Sequence, residues 1–423
     1  MGHRGALVTG IGMVTPLGLD REESWTAMLA GRSAVRAVRY FDPRGLDVRI
    51  GGEVPADEHE LARRFRETCR LPFPQRYARF TQLALLAGAD ALRDAGLERG
   101  AFDPHRAGVS VGVAAGSFHY LLPVSEALRE QGAPLEQALD HNFVVKYMPN
   151  AAAAHLTMWL GIRGPSANCG VACATGAQSI ALALEWIRAG VVDVALAGGA
   201  DSTVNRYALH AYHQIGALST RNDEPERASR PFSAGRDGFV MAEGAAVLVL
   251  ESEAHARARG ARAYARLLGQ ACTSEAYNVV APRPEGEGME ATIRAALQDA
   301  GVEPAAIDYV SAHGTSTPLN DVAETRALRR ALGRQAERVA VSSQKSMIGH
   351  AIGATSAIEA GVTALSVHEG RVTPTINLDE PDPACDLDYV SEGARTLAVR
   401  CALSNAFGFG GHNCCLVFGQ AGG

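Results

Sequence analysis

The sequence predicts an α/β protein of layered architecture made of two similar halves, residues 1–258 and 259–423, and three observations carry that expectation. Apolar runs of strand length, bounded by glycine, alternate with helical segments along the chain, as when sheets are buried between helices. Each half holds an apolar helix at its centre, and 423 residues exceed what a single small core organises. No close repeat of the residues themselves accompanies the repeated pattern.

In order, Ala6 to Gly18 reads as a buried strand running into a glycine-rich turn. Gly10 and Gly12 open a dinucleotide-type motif, but Thr15 holds the place of its third glycine, so no dinucleotide site is expected. Phe80 to Gly96 has helical periodicity, with Leu85, Ala89 and Leu92 on one face and Gly96 as terminator. Ala107 to Ala115 and Val191 to Gly199 read as buried strands, and Phe239 to Glu251 as another, followed by a charged helix from Glu253. The second half starts near Ala261 and predicts helices at Met289 to Gly301, Asp321 to Leu332 and Ala354 to Glu369, with strands at Ile307 to Ser311 and Asn413 to Phe418. Gly132 to Pro134 and Arg283 to Gly288 read as exposed loops.

The net charge of −6 provides no global basic field for nucleic acid, and the apolar runs are too short and interrupted to span a bilayer. With no signal-peptide pattern, a cytoplasmic location is expected. The eight cysteines lack the paired spacing of a zinc site, so no metal is expected, and most should be reduced, buried thiols.

One cysteine calls for a different reading. Gly164 to Ile180 crowds small residues around Cys173 just ahead of an amphipathic run that stops at Gly190. Cys173 is thereby placed at a helix N-terminus, where free N–H groups and the helix dipole stabilise a thiolate. Cys169, on the preceding strand-like segment, keeps a structural reading. A nucleophile needs partners. His313 follows an apolar strand inside Ser311-Ala-His-Gly-Thr-Ser-Thr-Pro, and His350 follows Lys345-Ser-Met-Ile-Gly just ahead of the alanine-rich helix that contains Glu359. Gly408-Phe-Gly-Gly411 can bring backbone N–H groups close to a reacting carbonyl, as an oxyanion hole requires. Cys-His pairs also hydrolyse acyl groups, and the residue types alone leave that class open.

As a set these segments resemble those of the elongating ketosynthases of the thiolase-like superfamily, both the bacterial ketoacyl synthase II type and the ketosynthase subunits of type II polyketide synthases. The resemblance covers nearly the whole chain, from Val8-Thr-Gly-Ile-Gly-Met-Val-Thr-Pro16 to the last strand. It implies a duplicated α/β/α/β/α layered fold and a decarboxylative Claisen condensation between a Cys173-bound acyl chain and malonyl-acyl carrier protein. It makes Cys173, His313 and His350 the catalytic triad, with Lys345 a motif lysine that orders the site and Glu359 its ion partner. Cys173 and Phe409 would supply the oxyanion N–H groups, Phe409 would gate the site from among Gly408, Gly410 and Gly411, and Thr315 and Thr317 would lie along the pantetheine arm. His350 separates the chain from initiating synthases with a Cys-His-Asn pattern, and Cys173 separates it from nucleophile-free chain-length factors.

The resemblance further implies substrates carried on the phosphopantetheine of an acidic acyl carrier protein, with no tightly bound cofactor. Arg70, Arg76, Arg79 and Arg206 are candidates for the docking rim. A dimer is implied, either of identical chains or with a chain-length-factor homologue, in fatty-acid or specialised polyketide or polyene synthesis. Ala115 stands where the family places the floor of the acyl pocket and is often bulkier, and Phe143 is a second candidate for closing that space. The segment Phe118 to Val145 departs from the housekeeping pattern.

Overall fold

The computed structural model describes residues 5–116 and 141–422, with 124, 125, 127–129, 134 and 139 between them. Most of the divergent segment from Phe118, and Gly132 and Ala133 of the loop expected at Gly132 to Pro134, lie outside the described residues. The apolar runs form one continuous sheet of ten described strands: β1 (Ala6–Val14), β2 (Ala107–Gly112), β3 (Ser166–Ala167), β4 (Val194–Ser202), β5 (Glu243–Glu251), β6 (Ala265–Ser274), β7 (Tyr309–Ser311), β8 (Ala340–Ser342), β9 (Cys401–Gly408) and β10 (His412–Gly419). Their order across the sheet is β8-β7-β9-β10-β6-β1-β5-β4-β2-β3.

Pairing repeats in the two halves. From the first edge, β3, β2 and β4 are parallel, and β4–β5 and β5–β1 are antiparallel. From the other edge, β8, β7 and β9 are parallel, and β9–β10 and β10–β6 are antiparallel. The halves join where Ala6 to Val8 of β1 run antiparallel to Ala265 to Leu267 of β6.

Helices complete five layers. On the outer face of the first half lie α1 (Arg79–Asp94) and α2 (Ala151–Leu160), while α5 (Glu287–Ala300) and α6 (Pro318–Leu332) cover the second. Between the halves lie α3 (Thr175–Arg188) and α7 (Thr355–Glu369), and α7 touches strands of both. A helix enclosed on all sides must be apolar or small all round. Thr355 to Val367 of α7 are buried without exception, and their polar groups are limited to small hydroxyls and Glu359, which is paired with Lys345. Gly176 lets α3 and α7 meet: a Cβ there would come within 2.6 Å of the Ala357 nitrogen.

Several expected boundaries shift for physical reasons. β2 stops at Gly112 because the Val113, Ala114 and Ala115 N–H groups turn away to side-chain oxygens of Asn168 and Asp201. β4 begins at Val194, not Val191, because the Val191 N–H closes the end of α3 on the Trp186 carbonyl at 2.9 Å. β9 and α2 were not anticipated. Six of the cysteines are buried, whereas Cys169 is half-buried and Cys272 exposed.

Candidate active site

Cys173 sits in a single 3-10 turn, Ala172–Ala174, that leads into α3, and the turn is entered through Ala172 in the left-handed region (φ 48°). Its Sγ lies 3.1 Å from His350 Nε2. Ser342, at the end of β8, leads into the short helix Lys345–Ile348, and His350 comes next, tied to the N-terminal half by its N–H on the Val240 carbonyl at 2.7 Å. Thr355 at the start of α7 holds the other ring nitrogen, Nδ1, at 3.0 Å, and its hydroxyl oxygen also accepts the Ala351 N–H. Where that hydroxyl donates to Nδ1, Nε2 carries the ring hydrogen and points it at the sulfur.

His313 follows β7, its ring 5.6 Å from that of His350. Glu324 of α6 accepts the His313 and Gly314 N–H groups at 2.9 and 2.8 Å and so fixes this turn. The Lys345 ammonium lies 3.4 Å from His313 Nδ1 and 2.5 Å from both the His313 carbonyl and Glu359 Oε1. An ammonium can only donate, so it too leaves the ring hydrogen on Nε2. The sulfur and one nitrogen of each imidazole lie within 4.8 Å of one another, a spacing a soft cation could bridge. The ammonium beside His313 opposes a cation there and favours an electron-rich oxygen.

Burial pushes both imidazoles well below the usual histidine range, with the Lys345 charge acting in the same direction. Both rings are therefore neutral at pH 7. Burial also pushes the Cys173 thiol up to about 11, against the pull of Lys345 and of the Phe409 and Cys173 N–H groups. This corrects the expectation of a thiolate favoured by the helix N-terminus. Two N–H groups of that terminus are already taken up across the helix interface, Gly176 by the Gly353 carbonyl and Ala177 by Ser356 Oγ. Burial likewise raises Glu359 to about 7, with Lys345 opposing it.

The loop between β9 and β10 closes over the thiol. Gly408 packs so closely that a Cβ would lie 3.2 Å from the Cys173 nitrogen, and Gly410 and Gly411 turn the chain at φ 82° and 72°. The Phe409 ring stacks on Tyr212 of α4 (Arg206–Gln214) with centroids 6.4 Å apart. A cavity of about 310 Å³ runs from exposed Ile215, Val280 and Leu319 down to Cys173, His313 and His350. Thr315 and Thr317 line it, their hydroxyls 2.9 Å apart, as do Gly408, Phe409 and Gly411.

The remaining candidates divide. Lys345 and Glu359 stand behind the histidines, fully enclosed. Ala115 is not on the lining of this cavity but packs in the cluster that includes Ile352 and Phe409, which are. Phe143 lies apart on the helix Phe143–Tyr147, stacked on Tyr147 at 6.0 Å. Arg70, Arg76 and Arg206 are exposed. Arg79 is not a docking residue: it is 9% exposed, and its guanidinium grips Glu243 at 2.7 and 2.8 Å beneath the start of α1. Three residues of the site gave no signal in the sequence, namely Glu324, Thr355 and Asp201. The Asp201 carboxylate gathers the Ala114, Ala115 and Gly353 N–H groups at 2.9–3.1 Å, joining the loop after β2 to the turn after His350.

A cysteine facing two neutral imidazoles, at the seam of a duplicated five-layer α/β fold, defines a thiol-dependent acyl-transferring condensing enzyme. The chain belongs to the β-ketoacyl synthase family: the family's N-terminal domain matches residues 5–256 and its C-terminal domain residues 264–379. It is 40% identical over 414 residues to a 3-oxoacyl-[acyl-carrier-protein] synthase 2 of Synechocystis, covering 97% of each chain. Among solved structures it is similar to the ishigamide ketosynthase/chain length factor (34% identity, TM-score 0.92, all of both chains). It is also similar to AntDE:AntF, a type II polyketide acyl-carrier protein in complex with its ketosynthase (31%, TM-score 0.90, 99% of each).

Proposed function

We propose that the chain is an elongating β-ketoacyl-acyl carrier protein synthase, and that Cys173, His313 and His350 carry its chemistry. The observation that carries this reading is the convergence of Cys173 Sγ and one nitrogen of each imidazole, Nε2 in the case of His350, at the foot of a narrow, mostly apolar cavity. Thr315, Thr317, Asn320 and Asn413 place polar groups along it, which suits a phosphopantetheine arm with its amides.

In the first half-reaction the Cys173 sulfur attacks the thioester of the acyl carrier, and the Cys173 proton ends on the departing pantetheine thiol. The Cys173 and Phe409 N–H groups receive the transient oxyanion. In the second, malonyl-carrier enters the emptied cavity and its carboxylate leaves as carbon dioxide, the electron pair forming an enolate. The Nε2–H groups of His313 and His350 hydrogen-bond the enolate oxygen. The carbanion attacks the Cys173 thioester, giving the β-ketoacyl carrier and returning the thiolate. No strong base is needed, because decarboxylation makes the carbanion, and neutral donors aimed at oxygen supply the stabilisation. Lys345 keeps His313 in the donating tautomer.

The partner is an acidic acyl carrier protein docking beside the cavity mouth, with Arg70, Arg76 and Arg206 as candidate contacts. The chain divides functionally near residue 258, the nucleophile on one side and the imidazoles on the other. Pairing with a nucleophile-free homologue in a specialised pathway has the support of the likeness to a ketosynthase/chain length factor pair. Condensation by the purified chain alone separates the homodimer from that reading. The reaction itself is tested by intact-protein mass spectrometry with acyl- and malonyl-carriers. Cys173→Ala should lose acyl loading, while His313→Ala or His350→Ala should load acyl groups and fail to condense. An acyl adduct on another thiol in Cys173→Ala would overturn the assignment.

A further inference from the structure

Away from the catalytic thiol, the β6–β10 ladder sets Cys272 directly opposite Cys414, with their sulfurs 3.4 Å apart. Opposed residues of an antiparallel pair have Cα atoms about 4.5–5.5 Å apart, inside the range of about 4.4–6.8 Å that a disulfide bridges. The two thiols differ in access: Cys272 is exposed and Cys414 is buried. We infer that Cys272 and Cys414 form a reversible thiol–disulfide site, in which Cys272 meets a small disulfide from solvent and Cys414 resolves the adduct.

The chemistry balances with a low-molecular-weight disulfide as oxidant. The Cys272 thiolate attacks one sulfur of the reagent and expels a thiolate, leaving a mixed disulfide on Cys272. Cys414 then loses its proton, attacks the Cys272 sulfur and expels the second thiolate. Two protein thiols are oxidised, and the reagent is reduced to two thiols. Exposed Cys272 can meet the reagent, and buried Cys414, 3.4 Å away, can reach only the adduct, which matches attacker and resolver. The strands involved carry the site: Asn413 lines the cavity, its Nδ2 bonds Glu275 at 2.9 Å, and the Glu275 N–H bonds the Gly411 carbonyl at 2.9 Å. The bond would thus clip β10, which leads out of the Phe409 loop, to β6, just beyond whose end Glu275 holds the Gly411 carbonyl.

The test uses the full-length Cys173→Ala chain, which keeps the catalytic thiol out of the reaction. It is incubated with oxidised glutathione, and its remaining thiols are then alkylated and mapped by peptide mass spectrometry. The expected result is loss of two free thiols per chain and a cross-linked peptide joining Cys272 to Cys414, reversed by dithiothreitol. With Cys272→Ser added the cross-link should vanish, and with Cys414→Ala added a glutathione adduct should persist on Cys272. A stable adduct on Cys272 while Cys414 is present, a bridge from Cys272 to Cys169 or to a second chain, or unreacted thiols would each overturn the inference.

Discussion

Removing the Lys345 ammonium should destabilise the protein in a way that grows with pH. Lys345 and Glu359 meet at 2.5 Å with side chains 1% and 0% exposed, and Glu359 Oε2 has no hydrogen-bond partner among the described residues. The carboxylate therefore depends on this one cation, and deleting one member of such a pair costs about 3–5 kcal/mol. In Lys345→Ala, Glu359 escapes part of that cost by holding a proton. Burial already raises its pKa above the unfolded value, and losing the cation raises it further. For a carboxyl so raised, the folded state loses stability as pH climbs through the unfolded pKa and up to the folded one, at about 1.4 kcal/mol per unit. Urea unfolding followed by fluorescence should therefore show a larger deficit for Lys345→Ala at pH 8 than at pH 5.5. The double variant Lys345→Met/Glu359→Gln, which removes both charges and keeps the volume, should recover most of the loss. Equal deficits at the two pH values, or a double variant no more stable than the single, would refute the reasoning. Condensation should fall in Lys345→Met because His313 loses its donor, while loading of Cys173, which faces His350, should survive.

Three further outcomes are expected. Iodoacetamide alkylation of Cys173 without an acyl donor should rise about tenfold per pH unit from pH 7 to 9 without a plateau, since the thiol lies at about 11; a plateau below pH 8 would mean that the helix terminus and His350 outweigh burial. Arg76→Glu should raise KM for carrier-bound acyl groups more than for a pantetheine thioester, with salt narrowing the difference, whereas Arg79→Glu should lose soluble protein and about 3–5 kcal/mol of stability through Glu243. Equal loss with both substrates in Arg76→Glu would assign that residue to the pocket or the fold. Ala115→Phe, filling the cluster beside Ile352 and Phe409, should shorten the longest accepted primer, each excluded methylene being worth about 0.8 kcal/mol; an unchanged product-length distribution in a folded variant would place the acyl chain elsewhere.

Cys173, His313, His350 and Lys345 were legible as types of residue in place, because each lies at the end of an element among glycines and small residues, a local pattern that a sequence displays. Their mutual distances were not. The contact between His350 and Cys173 spans 177 positions and depends on bonds between the halves, among them the Val240 carbonyl of the first half taking the His350 N–H. Arg79 shows the same limit with the opposite outcome. Ahead of a periodic helix it reads as a solvated cation, but its partner Glu243 lies 164 residues away on β5, and nothing local announces that the pair is buried. Thr355, Glu324 and Asp201 escaped notice for the same reason, since each acts by taking N–H groups or a ring nitrogen whose location depends on the fold.

The layered duplication explains why the chemistry sits where it does. Cys173, the proposed nucleophile, enters just ahead of α3 of the first half, whereas both imidazoles, the ammonium and the Phe409 loop belong to the second, so the geometry of the site is set by how α3 and α7 pack. That packing is close because Gly176 has no side chain against Ala357, and it is the same contact that takes the Gly176 and Ala177 N–H groups away from the thiol. The two halves therefore align the sulfur with its donors at the expense of thiolate stability. What remains at the site is donation aimed at developing charge, from the Cys173 and Phe409 N–H groups and from the imidazoles that Thr355 and Lys345 orient. A site so arranged stabilises an oxyanion or an enolate more than a resting thiolate, which is the differential a condensation of two thioesters requires.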